Sequence, residues 1–152
     1  MWIELYTKKI PLAPVAMGRP RRGAHGMYTP PKSRQYLKKL VAILQGPHFE
    51  TKSPTRLQCM FVHPRPKRLG QGGQVPKETK PDLDNLIKML LDGIVSANLI
   101  PDDNQVTLIA PLPGATHMDL YAAHGEDPHT LFTISIWSTD AKTQPTHETI
   151  TI

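Results

Sequence analysis

The residues of this chain best suited to chemistry are the aspartates between positions 81 and 106. Asp82 and Asp84 open a helical pattern, and Asp102 and Asp103 follow it. Carboxylates that lie close together repel one another, so keeping them ionised requires a cation or basic side chains nearby. An oxygen-only cluster without Cys or His favours Mg²⁺, or Mn²⁺, over zinc. The pattern therefore predicts a metal site that acts on phosphate groups.

A purely structural interpretation of these residues stays open at this point. Asp84, Lys88 and Asp92 are four residues apart and lie near one face of a helix. Asp84 would then cap the helix start, and the three residues would form a ladder of surface ion pairs. Asp82 favours the metal site, because an extended residue two positions earlier can direct its carboxylate to the same side as Asp84. A second acidic pair further along also exceeds what capping requires.

Hydrophobic periodicity predicts two helices and four main strands. The clearest helix runs from Leu83 to Val95, where apolar residues recur at intervals of three and four, and it closes at Asn98. A second helix is predicted over 32–45, with Ser33 as its N-cap. Strands are predicted at 2–15, 55–63, 105–112 and 130–137, with Ile150 and Ile152 as candidates for an edge strand. This order of elements predicts a single α+β domain over residues 1–152, with a small mixed sheet packed against two principal helices.

Charge is divided unevenly along the chain. Residues 1–80 hold 16 of the 18 Lys and Arg residues and 3 of the 13 Asp and Glu residues, a net charge of +13; residues 81–152 hold 2 and 10 of them, a net charge of −8. The basic residues lie in Gly/Pro-rich segments, where they are available to a polyanion, so nucleic acid is the expected partner. The alternatives are mutual neutralisation of the two halves and, for the second basic segment, a solvated connector. We expect flexible basic loops at about 16–31 and 64–81, with phosphate contacts from Arg19, Arg21, Arg22, Arg65, Lys67 and Arg68.

Other kinds of site find little support in the sequence. The seven histidines show no HExxH or Cys-paired spacing, and glycines 70–73 lack the ending of a P-loop, so neither zinc nor a nucleotide cofactor is predicted. Cys59 lies in an apolar run and is predicted to be a buried, reduced thiol. No apolar run reaches the roughly 18 residues of a membrane-spanning helix, and no signal-peptide pattern begins the chain, so a cytoplasmic protein is expected.

The acidic segment resembles that of a known family. Asp82-x-Asp84-Asn85-x-x-Lys88-x-x-x-Asp92, followed by Asp102-Asp103-x-Gln105-Val106, is similar to the pattern of the RusA-like Holliday junction resolvases of phages and prophages. Gly18-Arg19-Pro20-Arg21 followed by Tyr28-Thr29-Pro30 also resembles a motif of the phage branch. Together these motifs cover about a quarter of the chain. The long Gly-rich insert before the acidic segment departs from the arginine-rich approach of some members.

The resemblance implies an activity and roles for individual residues. A RusA-like protein would be a bacterial enzyme of DNA recombination and repair that resolves four-way junctions and leaves 5′-phosphate and 3′-hydroxyl ends. Hydrolysis of a phosphodiester needs a cation on the phosphate, an activated water and help for the leaving oxygen. By resemblance, Asp82, Asp84 and Asp103 would hold the metal, and Lys88 would meet the scissile phosphate. The neighbouring residues would support them: Asn85 would reinforce the helix start, and Asp92 would position Lys88. Asp102 would orient the metal ligands or cap a turn.

The length of the predicted helix bears on how the aspartates meet. A continuous helix from Asp84 to Asn98 rises roughly 20 Å at about 1.5 Å per residue. Asp103 must recover this distance within its own chain or reach the Asp82 and Asp84 pair of another subunit. A homodimer is expected, because symmetrical cutting of a four-way junction needs two active sites. A nuclease for other branched DNA and a non-catalytic DNA-binding protein remain the alternatives.

Overall fold

A mixed β-sheet forms the centre of the protein, as seen in a computed structural model that describes residues 1–139. Its three longest strands, β1 (Trp2–Ile10), β4 (Thr55–His63) and β8 (His129–Trp137), are antiparallel neighbours, with β8 in the middle. The other edge of β4 pairs in parallel with two shorter strands, β6 (Val106–Pro111) along its first half and β7 (Asp119–Tyr121) along its second. A two-residue strand, β5 (Val75–Pro76), pairs antiparallel with β7.

Both helices found in residues 1–139 contribute to one hydrophobic core with this sheet. α1 (Pro31–Leu44) contacts α2 (Leu83–Ser96), and their apolar faces meet alternate residues of β4 and β8. Cys59 is fully buried there, as predicted, and burial raises the pKa of its thiol to about 12. The predicted α+β fold is thereby confirmed. The largest core side chains include Leu40, Leu44, Leu86, Met89, Leu90 and Ile94 from the helices, with Leu57, Phe132 and Ile134 from the strands.

The first basic segment contains an exposed hairpin that the sequence pattern did not predict. Its strands are β2 (Arg21–Gly23) and β3 (Gly26–Tyr28), and every residue in them is exposed. Ser33 is not the N-cap of α1, because Pro30 occupies that position. The Ser33 hydroxyl instead accepts a hydrogen bond from the Gly18 N–H at 2.8 Å and donates to the Ala16 carbonyl at 3.0 Å, which fixes the root of the hairpin.

The second basic segment, 64–81, also differs from its expected form. It contains a 3₁₀ turn at Lys67–Leu69, followed by β5. Arg65 organises the turn, because its guanidinium donates hydrogen bonds to four backbone carbonyl oxygens, those of Leu69, Gly70, Gly73 and Ala122. Hydrophobic periodicity does not report hydrogen bonds from an arginine to backbone carbonyls, so the sequence pattern indicated an unpacked loop. The edge strand suggested at Ile150 and Ile152 lies outside the described residues.

Gly93 allows the two helices to approach closely. It is buried within α2, and a Cβ atom there would lie 2.7 Å from Leu40 Cγ. We predict that Gly93→Ala lowers the free energy of unfolding by about 1–3 kcal/mol, because overpacking outweighs a gain of about 1 kcal/mol in helix propensity. Urea denaturation measures the change. Ser96→Ala, at an exposed position of the same helix, is the control, and an unchanged stability in Gly93→Ala would show that α1 can move away without cost.

Candidate active site

The start of α2 carries the first two predicted metal ligands. Asp82 is the N-cap residue in an extended conformation, and its side chain makes no capping hydrogen bond. Asp84 lies in the first turn, where one carboxylate oxygen accepts a hydrogen bond from the Asn85 backbone N–H at 2.9 Å. Both residues are exposed, and neither takes part in an ion pair with another residue of the described chain. Their remaining oxygen atoms are therefore available to a cation.

A second group of charged residues lies further along α2. Lys88 is exposed and forms no ion-pair contact with Asp84 or Asp92 in residues 1–139, so the surface ladder considered above is not present. Burial raises the pKa of Asp92, while the charge of Lys88 lowers it and that of Asp103 raises it. The charge of Asp103 therefore acts on Asp92, about one turn before the end of the helix, and the turn at Asp103–Gln105 contacts α2. The chain leaves α2 through Asn98, whose left-handed conformation (φ 61°) ends the helix and lets the following turn fold back.

The three predicted metal ligands do not form one compact group within this chain. In residues 1–139, no set of three or more His, Cys, Asp and Glu side chains is arranged to hold a metal. Asp82 and Asp84 lie at the helix start, whereas the charge of Asp103 acts on Asp92, about two turns further along. Mg²⁺ commonly binds one or two protein carboxylates and takes its other oxygens from water and substrate phosphates. The Asp82 and Asp84 pair fits that donor pattern.

Two of the residues predicted to support the site have defined contacts. Asn85 acts through its backbone, since its N–H donates to Asp84 and its carbonyl accepts from the Met17 N–H at 3.0 Å. Asp102 caps the turn that carries Asp103, because its carboxylate accepts from the Asn104 N–H at 2.9 Å. Of the two roles open to Asp102, the turn cap is the one observed.

The basic hairpin begins beside the acidic start of α2. The hydrogen bond from Met17 to Asn85 attaches the root of the hairpin to the first helical turn, and Ser33 holds the next residue, Gly18. Arg21 and Arg22 lie on β2 directly after this root. A strongly basic element is thus anchored next to two exposed carboxylates. Contacts between distant segments create this arrangement, and no local sequence pattern indicates it.

The six predicted phosphate-binding residues fall into two groups. Arg65 is occupied by backbone carbonyls, and Arg68 pairs with Glu78 at 3.1 Å and lies over the Tyr121 ring. The other side chains are exposed and make no hydrogen bond or ion pair with any residue that the structure describes; they are Arg19, Arg21, Arg22 and Lys67. These four are the better candidates for contact with a polyanion.

A cleft of about 510 Å³ lies against Asp82. Apolar parts of its wall come from Pro81, Leu83 and Met118, and the buried Lys77 and Asp119 also border it. Asp82 therefore borders a space into which another molecule can enter.

Comparison with known proteins assigns this arrangement to a family. The model of the family described as "Endodeoxyribonuclease RusA" matches residues 11–114, about two thirds of the chain. The matched region includes the basic hairpin, both helices, Lys88 and the four aspartates at 82, 84, 102 and 103. Comparison with curated proteins gave no match. No helix in residues 1–139 is long and apolar enough to cross a membrane. The match spans more than half of the sequence, and the chain therefore belongs to the RusA family of endodeoxyribonucleases.

Proposed function

We propose that this protein is a Mg²⁺-dependent, structure-selective endonuclease that resolves four-way DNA junctions as a homodimer. The observation that carries the proposal is the RusA family match, which spans Asp82, Asp84, Lys88 and Asp103. Family membership indicates an enzyme that cleaves DNA. Two exposed carboxylates and an exposed lysine on α2 support the metal-dependent form of this reaction. Mn²⁺ has the same preference for oxygen ligands and is expected to replace Mg²⁺.

The charged residues at the start of α2 and along it would have different roles in phosphodiester hydrolysis. Asp82 and Asp84 would hold the cation, which when bound neutralises phosphate charge and lowers the pKa of a water molecule. Lys88 follows Asp84 by about one turn and would donate hydrogen bonds to the phosphate as negative charge develops. The charges of Asp92 and Lys88 interact. Asp92 would therefore keep the Lys88 ammonium group on the face of the helix that also carries Asp84.

Asp103 is proposed as the third ligand, although in the described chain it forms no metal-holding group with Asp82 and Asp84 and its charge acts on Asp92 instead. Movement of the turn at 101–105 could bring it to Asp82 and Asp84 within one subunit. Alternatively, a second subunit could supply it, in a dimer that also provides the two active sites required for symmetrical cutting. These arrangements predict different activities for mixed dimers of inactive variants.

A panel of labelled DNA substrates separates this function from its alternatives. The protein is incubated with a four-way junction, a flap and a linear duplex, each with Mg²⁺ or with EDTA. We expect Mg²⁺-dependent, paired cuts in the junction and little cutting of the duplex. Faster cutting of the flap would indicate a nuclease for other branched DNA. Binding without cleavage of any substrate would indicate a non-catalytic DNA-binding protein.

The hairpin arginines are predicted to contact DNA phosphates. Replacing both Arg21 and Arg22 by Gln should make the slope of log affinity against log salt less steep by about 1.8, because each lost contact releases about 0.9 fewer counterions. Fluorescence anisotropy between about 50 and 200 mM salt measures this slope. An unchanged slope would show that the hairpin does not touch the DNA backbone.

Arg65→Gln is the matched comparison for the hairpin variant. Its guanidinium is held by four carbonyl groups, so its loss should leave the salt slope nearly unchanged. The same change should lower the free energy of unfolding by about 1–3 kcal/mol, because backbone acceptors lose their donors.

A further inference from the structure

A buried ionic cluster lies next to the segment that carries Asp82. It consists of Lys77, Asp119 and His63, whose side chains are 3%, 11% and 7% exposed. His63 Nε2 lies 2.6 Å from one oxygen of Asp119, and Lys77 Nζ lies 3.4 Å from the other. Charges removed from water lose solvation, and apolar side chains of similar size commonly fill such a space at least as well. Packing alone therefore does not account for the lysine and aspartate.

The other hydrogen bonds of Lys77 indicate what the cluster does. Its ammonium group also donates to the backbone carbonyls of Thr79 and Pro81, the latter at 2.8 Å, so all three of its donors are used. Pro81 directly precedes Asp82 and has no N–H with which to join a strand ladder. The Lys77 side chain thus holds the backbone at 79–81, where Pro81 has no N–H to donate to a neighbouring strand.

The remaining contacts fix Lys77 to the sheet. Asp119 begins β7, and its backbone carbonyl accepts from the Lys77 N–H at 3.0 Å, so one residue contacts both the backbone and the side chain of the lysine. His63 is the last residue of β4, and its Nε2 atom contacts the Asp119 oxygen that Lys77 does not contact. The hydroxyl groups of Thr79 and Tyr121 lie 2.6 Å apart and add a further connection. A continuous set of contacts therefore joins the sheet to the peptide group before Asp82.

We propose that Lys77 is a positioning residue which, together with Asp119 and His63, fixes the Pro81 carbonyl and thereby directs the Asp82 carboxylate toward the metal. This inference rests on the proposed metal-dependent function. Lys77 acts through the backbone, because its side chain is buried and the three donors of its ammonium group are used within the protein. Residues that orient metal ligands typically change metal affinity by about 10–100-fold when they are replaced.

Lys77→Met keeps most of the side-chain volume and removes the hydrogen-bond donors. Isothermal titration calorimetry of Mn²⁺ into the DNA-free protein should show an affinity about 10–100-fold weaker than that of the parent. Junction binding without metal should be unchanged, and a high Mn²⁺ concentration should restore much of the lost cleavage. Lys52→Met removes an exposed lysine and is the control, which should match the parent in all three measurements.

A double variant separates positioning from a loss of stability. Lys77→Met leaves the buried Asp119 without its cation, whereas Lys77→Met/Asp119→Asn removes both charges and should recover stability. We expect Mn²⁺ affinity to stay weak in the double variant, because the Pro81 carbonyl still lacks its donor. Parent-like Mn²⁺ affinity in either variant would overturn the proposal while leaving the metal-dependent function intact. Failure of the parent to bind Mn²⁺ would instead refute that function, and the positioning role with it.

Discussion

Replacement of Asp82, Asp84 or Asp103 by Asn is expected to slow junction cleavage by at least about 10²–10³-fold, with junction binding unchanged or tighter. Each change keeps the shape of the side chain but removes a negative charge that would hold the proposed cation. The same change reduces repulsion of the DNA phosphates. Single-turnover cleavage and gel-shift binding measure the two effects. Near-parental cleavage by one of these variants would remove that residue from the site.

Two controls make this test specific. Glu50→Gln neutralises an exposed carboxylate outside the site and should cleave as the parent does. In Asp84→Asn the amide oxygen can still accept the Asn85 N–H, so the melting temperature should not change. Lost cleavage at an unchanged melting temperature would separate metal binding from support of the helix start.

Mixed dimers of Asp82→Asn and Asp103→Asn test which subunit supplies the proposed third ligand in the proposed dimer. If each site combines Asp82 with Asp103 of the partner subunit, the mixed dimer has one site with both changes and one with neither. Cleavage at one site should then return. If each site lies within one subunit, both sites carry a change and the mixed dimer should remain inactive.

Lys88→Ala is expected to slow cleavage by about 10²–10³-fold while changing the free energy of unfolding by at most about 0.5 kcal/mol. The side chain is exposed and has no ion-pair partner among residues 1–139, so little stability depends on it. Lys88→Arg should restore little, because a guanidinium differs from an ammonium in shape and reach. Parallel cleavage assays and urea denaturation measure the two quantities.

Lys39→Ala, at an exposed position of α1, is the control for loss of a positive charge. Should Lys88→Ala cleave within a few-fold of the parent, Lys88 has no direct role at the phosphate. Catalysis would then depend on the metal and its carboxylates alone.

Elements with a buried face were predictable from the sequence because burial imposes a period. The helix predicted from Leu83 to Val95 corresponds to α2, and the predicted strand at 55–63 matches β4. β5 and β7 contain two and three residues, too few to show a pattern. The roles of Ser33 and Arg65 depend on hydrogen bonds to distant or irregular backbone, which periodicity does not report.

The residues of the candidate site were easier to single out from the sequence than their arrangement was. Residue types and spacing singled out the aspartates and Lys88, since clustered acids at a helix start are informative by themselves. The position of Asp103 near α2 depends on how the chain folds back after Asn98. The cluster of Lys77, Asp119 and His63 joins three separate segments, so no local motif could reveal it.

The chemistry of the product ends tests the central claim most directly. An end-labelled four-way junction is treated with the protein and Mg²⁺, and the purified products are incubated with DNA ligase without further processing. We predict two nicked duplexes that the ligase seals, because the proposed attack of water on the phosphorus breaks the P–O3′ bond and leaves 5′-phosphate and 3′-hydroxyl ends. We predict no products with EDTA and few with Asp82→Asn. Equal cleavage in EDTA, products that the ligase cannot seal, or an uncut junction would contradict the account.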